Sequence, residues 1–161
     1  MSCASLSPEF EQLPFDYPTF NPRMKMQPYR YFYALQPRSL QSRWFDSLIK
    51  VDVQNSNGAR QLSLTCIPDT HTPLAGGHVV ASWSAPDVYL TEADFVPQEG
   101  GAEDAGALLA VLYNASSSLS SLAVFDAETL QMRSQASLGG VIPFHAHGIV
   151  CPKGLKCISN P

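Results

Sequence analysis

The chain has 161 residues, enough for one ordinary domain, and 45% of them are hydrophobic, so it can bury a core and is not expected to be disordered. A net charge of −4, with lysines and arginines scattered along the chain, excludes nucleic acid as the expected partner. The longest apolar run, residues 107–113, is far shorter than the roughly 20 residues that cross a bilayer, so no transmembrane segment is predicted.

The first residues, MSCASLSPEFEQ, lack the basic and apolar regions of a secretory signal. They are rich in serine, as plastid transit peptides are, but they contain Glu9 and Glu11. A cytoplasmic and a plastid location therefore both stay open. The cysteines show no C-x-x-C spacing, which favours free thiols in a reducing compartment.

Strand patterns recur along the chain, whereas 13 prolines and the lack of a 3.6-residue period argue against helices. Strands are predicted at 30–35, 47–53, 60–67, 77–84, 87–97, 107–114, 120–127 and 131–138. The fifth of these is followed by an acidic, glycine-rich surface loop, and the continuously apolar sixth is expected to be a central strand buried on both faces. The pattern predicts an all-β fold, which could be a sandwich, a barrel or two four-stranded propeller blades.

The segment VIPFHAHGIV (141–150) carries two of the four histidines. On a strand, residues i and i+2 face the same way, so His145 and His147 would present two imidazoles to a metal such as iron, zinc or copper. Histidines on a half-buried strand can equally serve local hydrogen bonds, and the residues alone leave both interpretations open. Asp16 and Glu92, each in an apolar context, are candidates to accept the second N–H of a ligating imidazole, or else are surface carboxylates beside turns.

Four blocks of the chain, in the same order, resemble motifs of the carotenoid cleavage oxygenases. YPTFNPRMKMQPYRYFYAL (17–35) is similar to the family's F-P-x-I-N…P-Y-x-Y-x-Y segment, and RWFDSLIKVDV (43–53) to its next strand. VYLTEADFVPQEGGAEDAGALLAVLYN (88–114) resembles E-P-x-F-V-P followed by an acidic loop and an apolar strand. LAVFDAETLQMRSQASLGGVIPFHAHG (122–148) resembles a hairpin that ends in V-P-x-x-F-H-G.

This resemblance implies a seven-bladed β-propeller that binds Fe(II) on its axis through four histidines, three of which donate to glutamates. Such enzymes use O2 to cleave a double bond of a carotenoid or apocarotenoid, and some relatives isomerise retinoids or cleave stilbenes. A lipid-soluble substrate of this kind would suit peripheral membrane association. Residues 13–153 would form the C-terminal part of the propeller, with a disordered tail at 1–12 and a second tail at 154–161.

Carried over by motif, His147 matches an iron ligand, and Glu92 and Asp16 fall where glutamates accept hydrogen bonds from ligating histidines. Asp16 is one methylene shorter than glutamate, so its hydrogen bond would be weak or mediated by water. His145 replaces a small residue of the family, and it would crowd the axis, act as a spare ligand or rotate to solvent. The family's phenylalanine before the ligand is Ala146 here, and its proline after the glutamate is Ala93.

The resemblance covers only the C-terminal third or less of the family, and three ligand histidines have no counterpart in this chain. His71 and His78 match no ligand motif. The first hypothesis is therefore a C-terminal portion of an iron-dependent dioxygenase that is inactive by itself. The alternatives are a non-catalytic propeller module that binds an apolar ligand or a partner chain, and an unrelated all-β protein with a His-x-His metal site.

Overall fold

The structure is a computed structural model, and it describes residues 14–39, 41–54, 78–144 and 147–148. Within these ranges the chain forms eight β-strands and one short 3₁₀ helix, Pro22–Met24. The strands are β1 (Asp16–Thr19), β2 (Tyr31–Gln36), β3 (Ser47–Asp52), β4 (His78–Ser84), β5 (Val88–Pro97), β6 (Gly106–Asn114), β7 (Leu119–Asp126) and β8 (Met132–Ser137).

The strands pair into two antiparallel four-stranded sheets, and each sheet follows chain order from edge to edge. The first sheet contains β1 to β4 and the second contains β5 to β8. The β6–β7 pair runs in unbroken register from Ala107 opposite Asp126 to Asn114 opposite Leu119. In the second sheet this arrangement follows from the sequence, because strands joined by short connections pair with their neighbours in the chain, whereas β3 and β4 pair although residues 53–77 lie between them.

One face of each sheet packs against the other sheet. The first sheet contributes Tyr33, Leu35 and Leu48, which are almost completely buried. The second sheet contributes a larger set of apolar side chains, Leu90, Ala93, Phe95, Leu108, Ala110, Leu112, Ala123, Phe125, Ala127 and Leu130. Because alternate residues of a strand point to one face, this shared core follows from the apolar alternation, and its burial stabilises the pair of sheets by about 25 cal/mol per Å².

The loop between β5 and β6 adds polar contacts between the two sheets. One carboxylate oxygen of Glu103 accepts the backbone N–H groups of Arg30 (2.6 Å) and Tyr31 (2.7 Å). Asp104 accepts a hydrogen bond from Lys50 Nζ at 2.7 Å, and the Lys50 side chain is only 4% exposed. A buried ammonium group is tolerated only when it is paired, so the acidic loop is fastened to the first sheet rather than lying free on the surface.

The all-β prediction is confirmed, and the two four-stranded sheets match the number of strands expected for two blades, although one of them, β1, was not among the predicted strands. Seven of the predicted strands correspond to observed ones, β2 to β8. The strand predicted at 60–67 and its turn lie outside the described residues, as do residues 1–12 and 154–161, which were predicted to be tails.

Two details of the sequence interpretation were wrong. β6 is central to its sheet, but only one face of it is buried, and residues such as Leu109 and Val111 on the other face are half-buried. β1 was not predicted, because it has only four residues and a register shift interrupts its pairing with β2. An apolar run therefore does not distinguish a strand that is covered on two faces from one that is covered on one.

Candidate functional site

Glu92 is positioned by an irregularity in β5. The pairing of β5 with β6 shifts register between Leu90 and Ala93, so two successive residues, Leu90 and Thr91, are both buried. The Thr91 hydroxyl donates to the carbonyl oxygen of Val111 at 3.2 Å, which fixes the shifted backbone. A bulge of this kind redirects the side chains that follow it. Here Glu92 comes to lie on the face of β5 opposite to the buried Ala93.

His147 lies against Glu92. Its Nδ1 atom is 3.4 Å from Glu92 Oε2, a long contact compared with the usual hydrogen-bond distance of about 2.9 Å. The histidine side chain is 86% exposed and that of the glutamate 20% exposed. The imidazole therefore has one nitrogen facing a carboxylate and its other nitrogen, Nε2, open to the surroundings.

The same carboxylate also holds the backbone next to the histidine. Gly148 N donates to Glu92 Oε2 at 3.1 Å. A Cβ atom at this glycine would lie 3.3 Å from a carboxylate oxygen of Asp94, so the segment passes close to β5 at this point. The single carboxylate of Glu92 thus contacts the side chain of His147 and accepts the backbone N–H of Gly148.

Asp16 lies at the start of β1, and its side chain is exposed. Its Oδ1 accepts a hydrogen bond from Tyr17 N at 2.7 Å, and Tyr17 adopts a positive φ of 54°. The carboxylate lines a pocket of about 350 Å³ whose apolar walls include Phe15, Trp44 and Phe45. The hydrogen bonds found in the described part of the chain do not join Asp16 to His147, so its function in orienting a histidine stays a prediction.

The remaining histidines are not brought to this site by the described residues. His145 and His71 lie outside the described ranges, and His78 is the first residue of β4. Residues 141–144 and 147–148 are not part of a strand, and His145 lies outside the described ranges, so the shared face of His145 and His147 stays a prediction. The function of His145 as a spare ligand therefore stays untested.

The geometry of His147 fits one ligand of a metal ion. A ligating histidine commonly donates its other ring N–H to a carboxylate, which fixes the tautomer and leaves the second nitrogen free for the metal. The Glu92–His147 contact has this form. Within the described ranges no group of three or more His, Cys, Asp or Glu side chains could hold a metal, so His147 as a ligand stays a prediction.

Sequence reasoning missed a cluster of aromatic residues on the elements that carry this pair. The ring of Phe144 lies between those of Trp44 and Tyr113, with centroid distances of 5.1 and 5.7 Å. These three residues come from the β2–β3 loop, from β6 and from the segment after β8. No local pattern in the sequence could have predicted that these three residues contact one another.

A family model provides the deciding comparison. The model described as retinal pigment epithelial membrane protein matches residues 3–151. The chain belongs to this family. The carotenoid cleavage oxygenase resemblance is thereby confirmed, and the hypothesis of an unrelated all-β protein with a His-x-His metal site is wrong.

Solved structures of the family have the same fold over this region. A tryptophan-to-alanine variant of Synechocystis apocarotenoid oxygenase is 26% identical, with a TM-score of 0.64, over 86% of this chain and 26% of that one. The cobalt-substituted form of the same Synechocystis protein gives 26% identity, a TM-score of 0.65 and the same coverage. A chimera of that oxygenase with the retinal pigment epithelial protein is 22% identical, with a TM-score of 0.64 over 85% of this chain and 25% of that chain.

The chain therefore spans about a quarter of the length of these structures. No curated protein sequence matches it. Among the described residues, no helix is long and apolar enough to span a membrane.

Proposed function

We propose that this chain is the C-terminal portion of an iron-dependent oxygenase that uses O2 to cleave a double bond of a carotenoid or apocarotenoid. The observation that carries the proposal is the contact between His147 and Glu92, which leaves one imidazole nitrogen free. Membership of the carotenoid cleavage oxygenase family supports it. The two described sheets would be two blades of a seven-bladed propeller, and the other ligands would come from outside the described residues.

Fe(II) would be held through Nε2 of His147, and it would supply the activation of O2. Glu92 would keep a proton on Nδ1 by accepting its hydrogen bond, so that Nε2 stays unprotonated and available. Because Glu92 also accepts the N–H of Gly148, it would fix the direction of the imidazole as well as its tautomer. Asp16, which is shorter than glutamate, would orient a second ligand through a weak or water-mediated hydrogen bond.

The test is to purify the protein that carries this segment from its source and measure its intact mass, its iron content and its products from β-carotene or an apocarotenal under ¹⁸O2. We expect a mass several-fold above the 17.5 kDa of this chain, stoichiometric iron, and aldehyde or ketone products labelled with ¹⁸O. His147→Ala should remove iron and activity together, whereas His71→Ala, the matched control, should leave both unchanged. Iron that survives His147→Ala would contradict the proposal.

The alternative is a non-catalytic module of the same family that binds an apolar ligand or a partner chain. The apolar pocket beside Phe15, Trp44 and Phe45 favours it, and so do exposed apolar side chains on the second sheet, such as Leu122. A native protein of 17.5 kDa that lacks iron but retains a polyene through purification would select this alternative. Peripheral membrane association would suit either function, since carotenoids dissolve in lipid.

A further inference from the structure

Trp44 contacts both elements that carry the Glu92–His147 pair. Its indole N–H donates to the carbonyl oxygen of Leu90 at 3.1 Å, and the N–H of Leu90 donates to the carbonyl oxygen of Phe45 at 2.9 Å. These two hydrogen bonds fasten the β2–β3 loop to β5 two residues before Glu92, at the start of the register shift.

The ring of Trp44 also holds the segment that carries the histidine. It packs on Phe144 at a centroid distance of 5.1 Å, and Phe144 makes an edge contact with Tyr113 at 5.7 Å. Phe144 precedes His147 by three residues. The segment after β8 is thereby held between a loop of the first sheet and the β6 strand of the second.

His147 needs such a fixed support. Its side chain is 86% exposed, so burial contributes little to its position, and its contact with Glu92 is long at 3.4 Å. The described residues 141–144 and 147–148 have no strand pairing to set their distance from β5. Their backbone hydrogen bonds to side chains are those of Ile142 to Ser120 (2.9 Å) and of Gly148 to Glu92 (3.1 Å). A ring contact is well suited to fix the position of the segment that carries His147.

We propose that Trp44 is a positioning residue for His147. By bonding to β5 through its N–H and packing on Phe144 through its ring, it sets the separation of the two elements so that Nδ1 of His147 faces Glu92 Oε2. This orientation leaves Nε2 directed away from Glu92 and free for a metal. The functional role of this positioning rests on the proposed function, but the positioning itself can be measured without metal.

The experiment is long-range ¹H–¹⁵N NMR of the whole 161-residue chain with ¹⁵N-labelled histidine, at a pH where the imidazole is neutral. The His147 signals are identified by their loss in His147→Gln. We expect the Nδ1–H tautomer in the unaltered chain, and loss of its signal in favour of the Nε2–H tautomer in Trp44→Leu. Glu92→Gln should show the same change, because the acceptor is weakened.

Trp83→Leu is the matched control. Trp83 packs on Phe125 at 4.8 Å against the core between the sheets, and its ring contact is with Phe125 rather than with Phe144. This substitution should lower stability at least as much as Trp44→Leu and leave the tautomer of His147 unchanged. An equal tautomer change in both variants would mean that general loosening is responsible, and it would overturn the proposal.

Trp44→Phe keeps the test decisive if the leucine variant does not fold. It retains a ring against Phe144 but loses the N–H that bonds to Leu90. A partial gain of the Nε2–H tautomer is expected, and an unchanged tautomer would overturn the proposal. If the tautomer responds as expected while the native protein holds no iron, the positioning stands and the proposed function fails.

Discussion

At the scale of single residues, Tyr33 shows how a side chain joins the two sheets. It is almost completely buried, and its hydroxyl donates to the carbonyl oxygen of Ala127 at 2.8 Å. Burial raises the pKa of Tyr33 well above its ordinary value, with a further contribution from the nearby carboxylates of Asp104 and Glu103. The phenolate form is therefore excluded from the folded state.

Tyr33→Phe should lower the free energy of unfolding by about 1–2 kcal/mol near pH 7, because the carbonyl of Ala127 loses its partner. Since the folded-state pKa is raised, this tyrosine stabilises the fold fully below the unfolded-state pKa of about 10, and that contribution is lost as the pH rises further. The difference in the free energy of unfolding between the unaltered chain and Tyr33→Phe, measured by urea unfolding, should therefore decrease above pH 10. Tyr29→Phe, at an exposed site, is the control. A difference in the free energy of unfolding between the unaltered chain and Tyr33→Phe that does not change with pH would contradict the argument.

At the scale of elements, loops rather than strands set the relation between the sheets. The β5–β6 loop reaches the first sheet through Glu103 and Asp104, and the β2–β3 loop reaches β5 through Trp44. A loop of each sheet thus makes hydrogen bonds to the other sheet. The apolar core stabilises the interface, and these directional contacts fix the position of one sheet relative to the other.

Glu103→Ala should destabilise the chain by about 2 kcal/mol, because two backbone N–H groups lose an ionised acceptor. Glu99→Ala, in the same loop but exposed, should change stability by less than about 0.5 kcal/mol. Urea unfolding of both variants checks the difference. Faster hydrogen exchange at Tyr31 in Glu103→Ala would localise the effect, and equal stabilities would show that the loop does not fasten the sheets.

At the scale of the whole molecule, the described residues bring one imidazole to the candidate site, and the second sheet exposes Leu119, Leu122 and Met132. A single neutral imidazole binds iron weakly, because several ligands must act together to hold a divalent ion firmly. Exposed apolar side chains on a sheet favour association with another surface.

The isolated 161-residue chain loaded with Fe(II) should therefore cleave no carotenoid above the background of its His147→Ala variant. Product analysis by chromatography and Fe(II) titration check this together, with the intact native protein as the positive control. Turnover by the isolated chain that depends on His147 would mean that its own residues complete the site.

The sequence by itself determined the all-β fold and most of the strands, because alternation and turn residues act over a few neighbouring positions. It also singled out Glu92 and His147, through the motifs in which they stand. Only the tertiary structure brought these two together, since they are far apart in the chain and a register shift in β5 turns the glutamate toward the histidine. The contact between Trp44 and Phe144 likewise depends on packing between the two sheets, and such long-range contacts are not visible as a periodic pattern in the sequence.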